Sequence, residues 1–173
     1  MHPGARHRLL LGSVLGSALA VLACSCGGGG HGGSSNGDVG SATVNGTLMG
    51  NAFDAQDAVS YSGDVEIVDF AGLCAFGLAN AKASATYLFF GFTGGTFLPG
   101  TTDVGPALDV QADIYDATCN SDGPSASGGS VTLTQVTSSG VVGTFDVTFT
   151  GGDHLTGSFD APTCSAPGNG TCN

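Results

Sequence analysis

The sequence predicts an all-β fold, an antiparallel β-sandwich or partly open barrel with one short helix. Three observations carry this expectation. The 173 residues include 31 glycines, ten phenylalanines and no tryptophan, and only 10% of them are charged. Glu, Lys and Arg, which favour helices, are nearly absent, while Val, Thr and Phe, which suit a pleated half-buried surface, are frequent. Apolar residues in the second half recur with a period of two, the repeat of a strand with one wet face.

The strands follow in order. Val44 to Met49 and Val65 to Val68 read as strands. Ala71 to Ala83, rich in Ala and Leu, accommodates one short helix or a strand, with Gly72 and Gly77 weighing against a helix. Thr86 to Phe92 is apolar on both faces through Tyr87, Leu88, Phe89, Phe90 and Phe92, so this strand is central or covered. In Leu108 to Ile114 the even positions are apolar, which places Asp109, Gln111 and Asp113 on one wet face, and Tyr115 joins them by parity. Val131 to Val136 connects to a strand from Val141 through Thr137-Ser138-Ser139-Gly140. Phe145, Val147 and Phe149 alternate with polar residues, as do Leu155 and Phe159, and between them Thr150-Gly151-Gly152-Asp153 supplies the positive φ of a tight turn. The last three strands form a meander, within a total of about seven or eight.

Three regions succeed one another along the chain. Residues 1–23 carry a basic start with Arg6 and Arg8 and then the apolar stretch Leu9 to Ala23, interrupted by Gly12, Ser13, Gly16 and Ser17. A spanning helix needs about 20 apolar residues, so this shorter stretch is a removed segment and not an anchor. With Val21, Ala23 and Cys24 it resembles a bacterial lipoprotein signal, although Leu22 is bulkier than the small residue usual there. The resemblance implies that Cys24 is lipidated and becomes the mature N-terminus, held on a membrane by its acyl chains. Ser25 stands where Asp would favour inner-membrane retention, so the implied location is the outer membrane, on its periplasmic or cell-surface face. An ordinary secretory signal cut nearby is the alternative, under which Cys24 is lost or stays a plain thiol. Residues 24–40 form a Gly/Ser tether reaching roughly 20 Å, with His31 as a solvated spacer. Residues 41–173 are the β domain.

The closing stretch, Gly129-Ser130-Val131-Thr132-Leu133-Thr134, then Gly143-Thr144-Phe145-Asp146-Val147-Thr148-Phe149, then Gly152 through Gly157-Ser158-Phe159-Asp160 to Cys164, resembles a group of uncharacterised bacterial lipoproteins with a C-terminal β-sandwich. The likeness runs from about Cys74 to Cys164. It implies an envelope lipoprotein with a β-rich domain and assigns no activity.

Four cysteines fall in the domain: Cys74, Cys119, Cys164 and Cys172. In an exported protein an even set reads as two disulfides with three possible connectivities. No two of them have C-x-x-C spacing, which disfavours a metal site. If successive strands reverse direction and residues 71–83 do not cross the sheet, Cys74 pairs with Cys119 and Cys164 with Cys172.

Charge restricts the partners. Loss of Arg6 and Arg8 with the signal leaves Lys82 as the one cation against 14 acids. Such a surface repels nucleic acid and anionic lipid, and it lacks the arginine fork and the glycine-lysine loop that hold phosphates. Calcium is the chemistry that clustered Asp invites. Thr118-Cys119-Asn120-Ser121-Asp122-Gly123 resembles half of a calcium loop, but Thr118 replaces its first Asp and Gly129 stands where a bidentate Glu is required. Asp109, Asp113 and Asp116 offer a second oxygen cluster, though Asp on a strand face is usually just solvated. No metal or cofactor is assigned.

Catalytic motifs are missing. There is no G-x-S-x-G and no H-E-x-x-H. Asp153 and His154 are adjacent, but neighbours on a strand point to opposite faces, so His154 reads as a polar hairpin residue. The expected function is therefore a non-catalytic surface lipoprotein, structural or binding a glycan or protein partner. Tyr115, Asp109 and Asp113 are its candidate contacts, while the lack of Trp weakens a sugar-stacking site. A calcium-dependent carbohydrate- or protein-binding adhesin module, and a hydrolase with an unrecognised site, are the alternatives.

Overall fold

A computed structural model describes residues 39–165 and 168–173. The signal segment, Cys24 and all but the last two tether residues lie outside this range. The elements in order are β1 (Ser41–Leu48), β2 (Asn51–Ala52), β3 (Asp57–Tyr61), β4 (Asp64–Val68), α1 (Leu73–Phe76), β5 (Thr86–Phe92), β6 (Gly100–Asp103), β7 (Leu108–Tyr115), β8 (Ser121–Asp122), β9 (Ala126–Thr137), β10 (Gly140–Phe149) and β11 (His154–Pro162). They form two antiparallel sheets, ordered β2-β1-β11-β10-β9-β6 and β3-β4-β5-β7-β8. The architecture is an all-β sandwich with one short helix.

The inner faces meet in a core that includes Ile67, Leu88, Phe90, Val110, Leu133, Phe145, Val147 and Phe159. Alternation produces it: on β10 the odd residues Val141 to Phe149 are buried, and on β5 Leu88, Phe90 and Phe92 point inward. As expected, β9, β10 and β11 form a meander, with Gly151 and Gly152 at φ 107° and 97° in its second turn.

Among the described residues eleven strands form where about seven or eight were expected: β2 and β8 are two-residue pairs, and β3 and β6 escaped the periodicity. On β3 every residue from Asp57 to Ser60 is buried, so nothing alternates. On β6, Gly-Thr-Thr-Asp has no apolar residue, and pairing with β9 alone holds it. The helix is shorter than residues 71–83 suggested. Gly72 and Gly77, at φ 82° and 98°, bracket it at four residues.

The outer face of the second sheet is only partly wet. Residues 69–85 fold across one end of it, packing Phe70, Leu73, Phe76 and Leu78 with Val59, Val68 and Tyr87 in a second apolar cluster. Asp57 anchors this cover from beneath. Its buried carboxylate accepts hydrogen bonds from the backbone N–H groups of Gly40 and Ala58 on Oδ1, at 2.9 and 2.8 Å, and of Gly72 and Leu73 on Oδ2, both at 2.9 Å.

The cover corrects the cysteine pairing: the bonds are Cys74–Cys164 and Cys119–Cys172. The parity argument assumed one continuous sheet, whereas the chain changes sheets between β5 and β7 to place β6, and residues 71–83 lie over a sheet face. After β11 the chain passes the edge of β3, where the Cys164 N–H donates to the Ser60 carbonyl at 2.8 Å, and so reaches Cys74. The terminal residues then run beside Ala81, which brings Cys172 to Cys119.

Candidate functional site

Register arranges the outer face of the second sheet as a three-by-three grid, of which Val68 and Tyr87 lie under the cover. Asp64, Glu66 and Val68 come from β4, Gly91, Phe89 and Tyr87 from β5, and Asp109, Gln111 and Asp113 from β7. Phe89 occupies the centre, directly between Glu66 and Gln111. Its ring lies over Gly91: a Cβ there would stand 2.8 Å from Phe89 Cε1 and 3.5 Å from Asp64 Oδ1. Four acidic residues therefore flank the half-buried Phe89 in the register.

Glu66, the only glutamate of the chain, is 7% exposed, and its Oε2 has no hydrogen-bond partner. Burial pushes its carboxyl up to about 7, the nearby Asp113 and Asp64 add to this, and the Tyr61 hydroxyl offsets part of it. Burial also raises Asp64. The Gln111 amide donates to Asp113 Oδ1 at 2.9 Å. The one Lys or Arg among the described residues is engaged elsewhere, with Lys82 Nζ 4.2 Å from the Phe70 ring centre.

Tyr115 sits differently from its expected wet position. It is half-buried, its ring packs edge-on against Tyr87 with centroids 5.1 Å apart, and burial raises its hydroxyl. Of the three contacts expected from sequence, the fold keeps Asp109 exposed, leaves Asp113 half-buried on the grid and turns Tyr115 into a packing residue. Glu66 and Phe89 were missed as site residues. The signal was present in a lone Glu inside an apolar strand.

The outer face of the first sheet is mostly polar, with Val142 as an apolar exception. Thr43, Ser158, Thr144, Thr132 and Thr101 are successive register partners across β1, β11, β10, β9 and β6, forming a hydroxyl row five strands wide. Thr43 bonds to Ser158 at 2.9 Å and Thr101 to Thr132 at 2.8 Å. Two adjoining shallow depressions of about 440 and 300 Å³ share Ser41, Val142 and Asp160.

His154 does find a carboxylate, but not its neighbour's. Its Nε2 lies 2.7 Å from Asp146 Oδ1, diagonally across the β10–β11 hairpin, while Asp153 accepts from the Met49 N–H at 2.7 Å. The pair is exposed, and among the described residues no hydroxyl hydrogen-bonds to His154 to make it the base of a nucleophile. Nor does the suspected calcium loop converge. Asp116 accepts from the backbone N–H groups of Thr118 and Asn120 and from both their side chains, which hold its carboxyl down at about 2. Among the described residues no three His, Cys, Asp or Glu side chains are grouped to hold a metal. Comparison with protein-family models, curated proteins and solved structures finds no match to the chain.

Proposed function

We propose that the protein is a non-catalytic lipoprotein of the outer membrane, anchored through Cys24, whose sandwich domain serves as a structural or partner-binding surface. The hydroxyl row on the first sheet is the observation that carries the binding role. Five aligned Thr and Ser side chains offer donors and acceptors over a broad face, and among the described residues no Lys or Arg on that face competes for them. The Leu9 to Cys24 pattern supports the anchor.

Metabolic labelling with a palmitate analogue tests the anchor. The wild-type chain takes up label and fractionates with the outer membrane, and Cys24→Ser abolishes both. Unlabelled wild-type chain in the soluble envelope fraction would refute the anchor. For the surface role, Thr144→Lys in the centre of the row should weaken partner capture in an envelope pull-down while leaving the melting temperature unchanged. Turnover by the purified chain in a broad hydrolase panel, lost in His154→Ala, would overturn the non-catalytic reading.

A further inference from the structure

We propose that the grid centred on Phe89, on the outer face of the second sheet, binds the guanidinium group of an arginine side chain presented by a protein partner. This site is separate from the hydroxyl face and does not depend on the anchor. Asp64, Glu66, Asp109 and Asp113 flank Phe89 in the register, and no side-chain cation of the grid answers them. Lys82, the only Lys or Arg after residue 23, is over Phe70. Glu66 Oε2 is buried with no partner, a condition a folded protein rarely leaves uncompensated.

The shape of the site selects the ligand. An aromatic face attracts a cation through its quadrupole but offers no lone pair, and no three of the acids converge as metal ligands. Calcium or magnesium is therefore poorly matched. A guanidinium is planar and weakly hydrated, so it stacks on a ring while its edge N–H groups reach carboxylates at the side. Phe89, lying over Gly91 beside Asp64, supplies the floor. Once ionised, above a pH of about 7, Glu66 acts on a cation there through protein rather than through water, where the attraction is stronger.

The test is amide chemical-shift mapping of the full chain titrated with blocked arginine (N-acetyl-argininamide) at low salt. Blocked lysine, blocked citrulline and calcium chloride at equal ionic strength are the comparison arms. The expected result is arginine binding in the millimolar range with shifts confined to the grid, centred on Glu66, Phe89, Gly91 and Gln111. Phe89→Leu and Asp109→Asn should each weaken it about fivefold, and Asp103→Asn, exposed on the other sheet, should not. Asp109 is exposed, so its variant tests the site without disturbing the core. Equal shifts with lysine or calcium, shifts spread over the acids of both sheets, or no arginine response overturn the proposal.

Discussion

Phe145 lies against Gly157, its partner across the β10–β11 pair, and a Cβ at Gly157 would stand 2.6 Å from Phe145 Cζ. The same register sets Phe159 against Gly143, where a Cβ would stand 2.7 Å from Phe159 Cζ. Gly143-Thr144-Phe145-Asp146 and Gly157-Ser158-Phe159-Asp160 repeat one Gly-x-Phe-Asp pattern, and the pairing gives that repeat a physical reason. In an antiparallel pair, two copies offset in this way give each ring a hole in the opposite strand, and Phe90 of the second sheet packs on both rings at 5.2 and 5.9 Å.

Gly157→Ala should therefore destabilise the domain by about 2–3 kcal/mol, because the new methyl also meets the Thr43 carbonyl oxygen at 2.1 Å and backbone yields little. Thermal melting measures this against Thr144→Ala, an exposed change on the neighbouring strand. Equal melting temperatures for the two variants would show that the glycine is not needed as a hole.

Much of the sandwich was legible in the sequence because β7, β10 and β11 each have one wet face, so burial leaves a period-two trace. The trace fades where both faces are covered, as on β3, or where neither is apolar, as on β6. Site residues were harder to read. Asp109 and Asp113 follow from parity alone, but Glu66 and Phe89 join them only through the register of three strands. Tyr115 was misplaced because residues 69–85, which cover part of that face, have no periodicity that reveals where they pack.

Asp57→Ala should cost at least about 3 kcal/mol, since it strips the acceptor from four backbone N–H groups, several of them buried. Asp57→Asn keeps an oxygen for one pair and should cost less. Urea midpoints rank the variants. Hydrogen exchange should show the Gly72 and Leu73 amides losing protection first, and unchanged protection there would mean that the cover is held by packing alone.

Non-reducing peptide mapping should link Cys74 to Cys164 and Cys119 to Cys172. The bonds close separations of 90 and 53 residues, and each stabilises by about 4 kcal/mol on chain-entropy grounds. Under graded reductant the Cys119–Cys172 bond should open first, because Cys172 is exposed whereas Cys164 is 5% exposed within the second cluster. Release of Cys74 and Cys164 ahead of the other pair would contradict that packing.

Glu66 should make the protein less stable as pH rises from about 4.5 to about 7. Its carboxyl moves from an ordinary 4.5 to about 7 on folding, so in this window the folded state binds more protons than the unfolded chain. Below the window both states are protonated and the group contributes nothing; above it the buried charge costs on the order of 3 kcal/mol. Asp64, also raised, acts in the same direction, while Asp116, held down at about 2, stabilises the fold above the ordinary carboxylate range and loses that effect only as the solution becomes strongly acidic. Glu66→Gln keeps the shape and removes the charge. Its urea midpoint should match wild type at pH 4 and exceed it at pH 8, with a flatter profile between. Parallel profiles for the two proteins would show that Glu66 ionises as freely in the fold as in the unfolded chain.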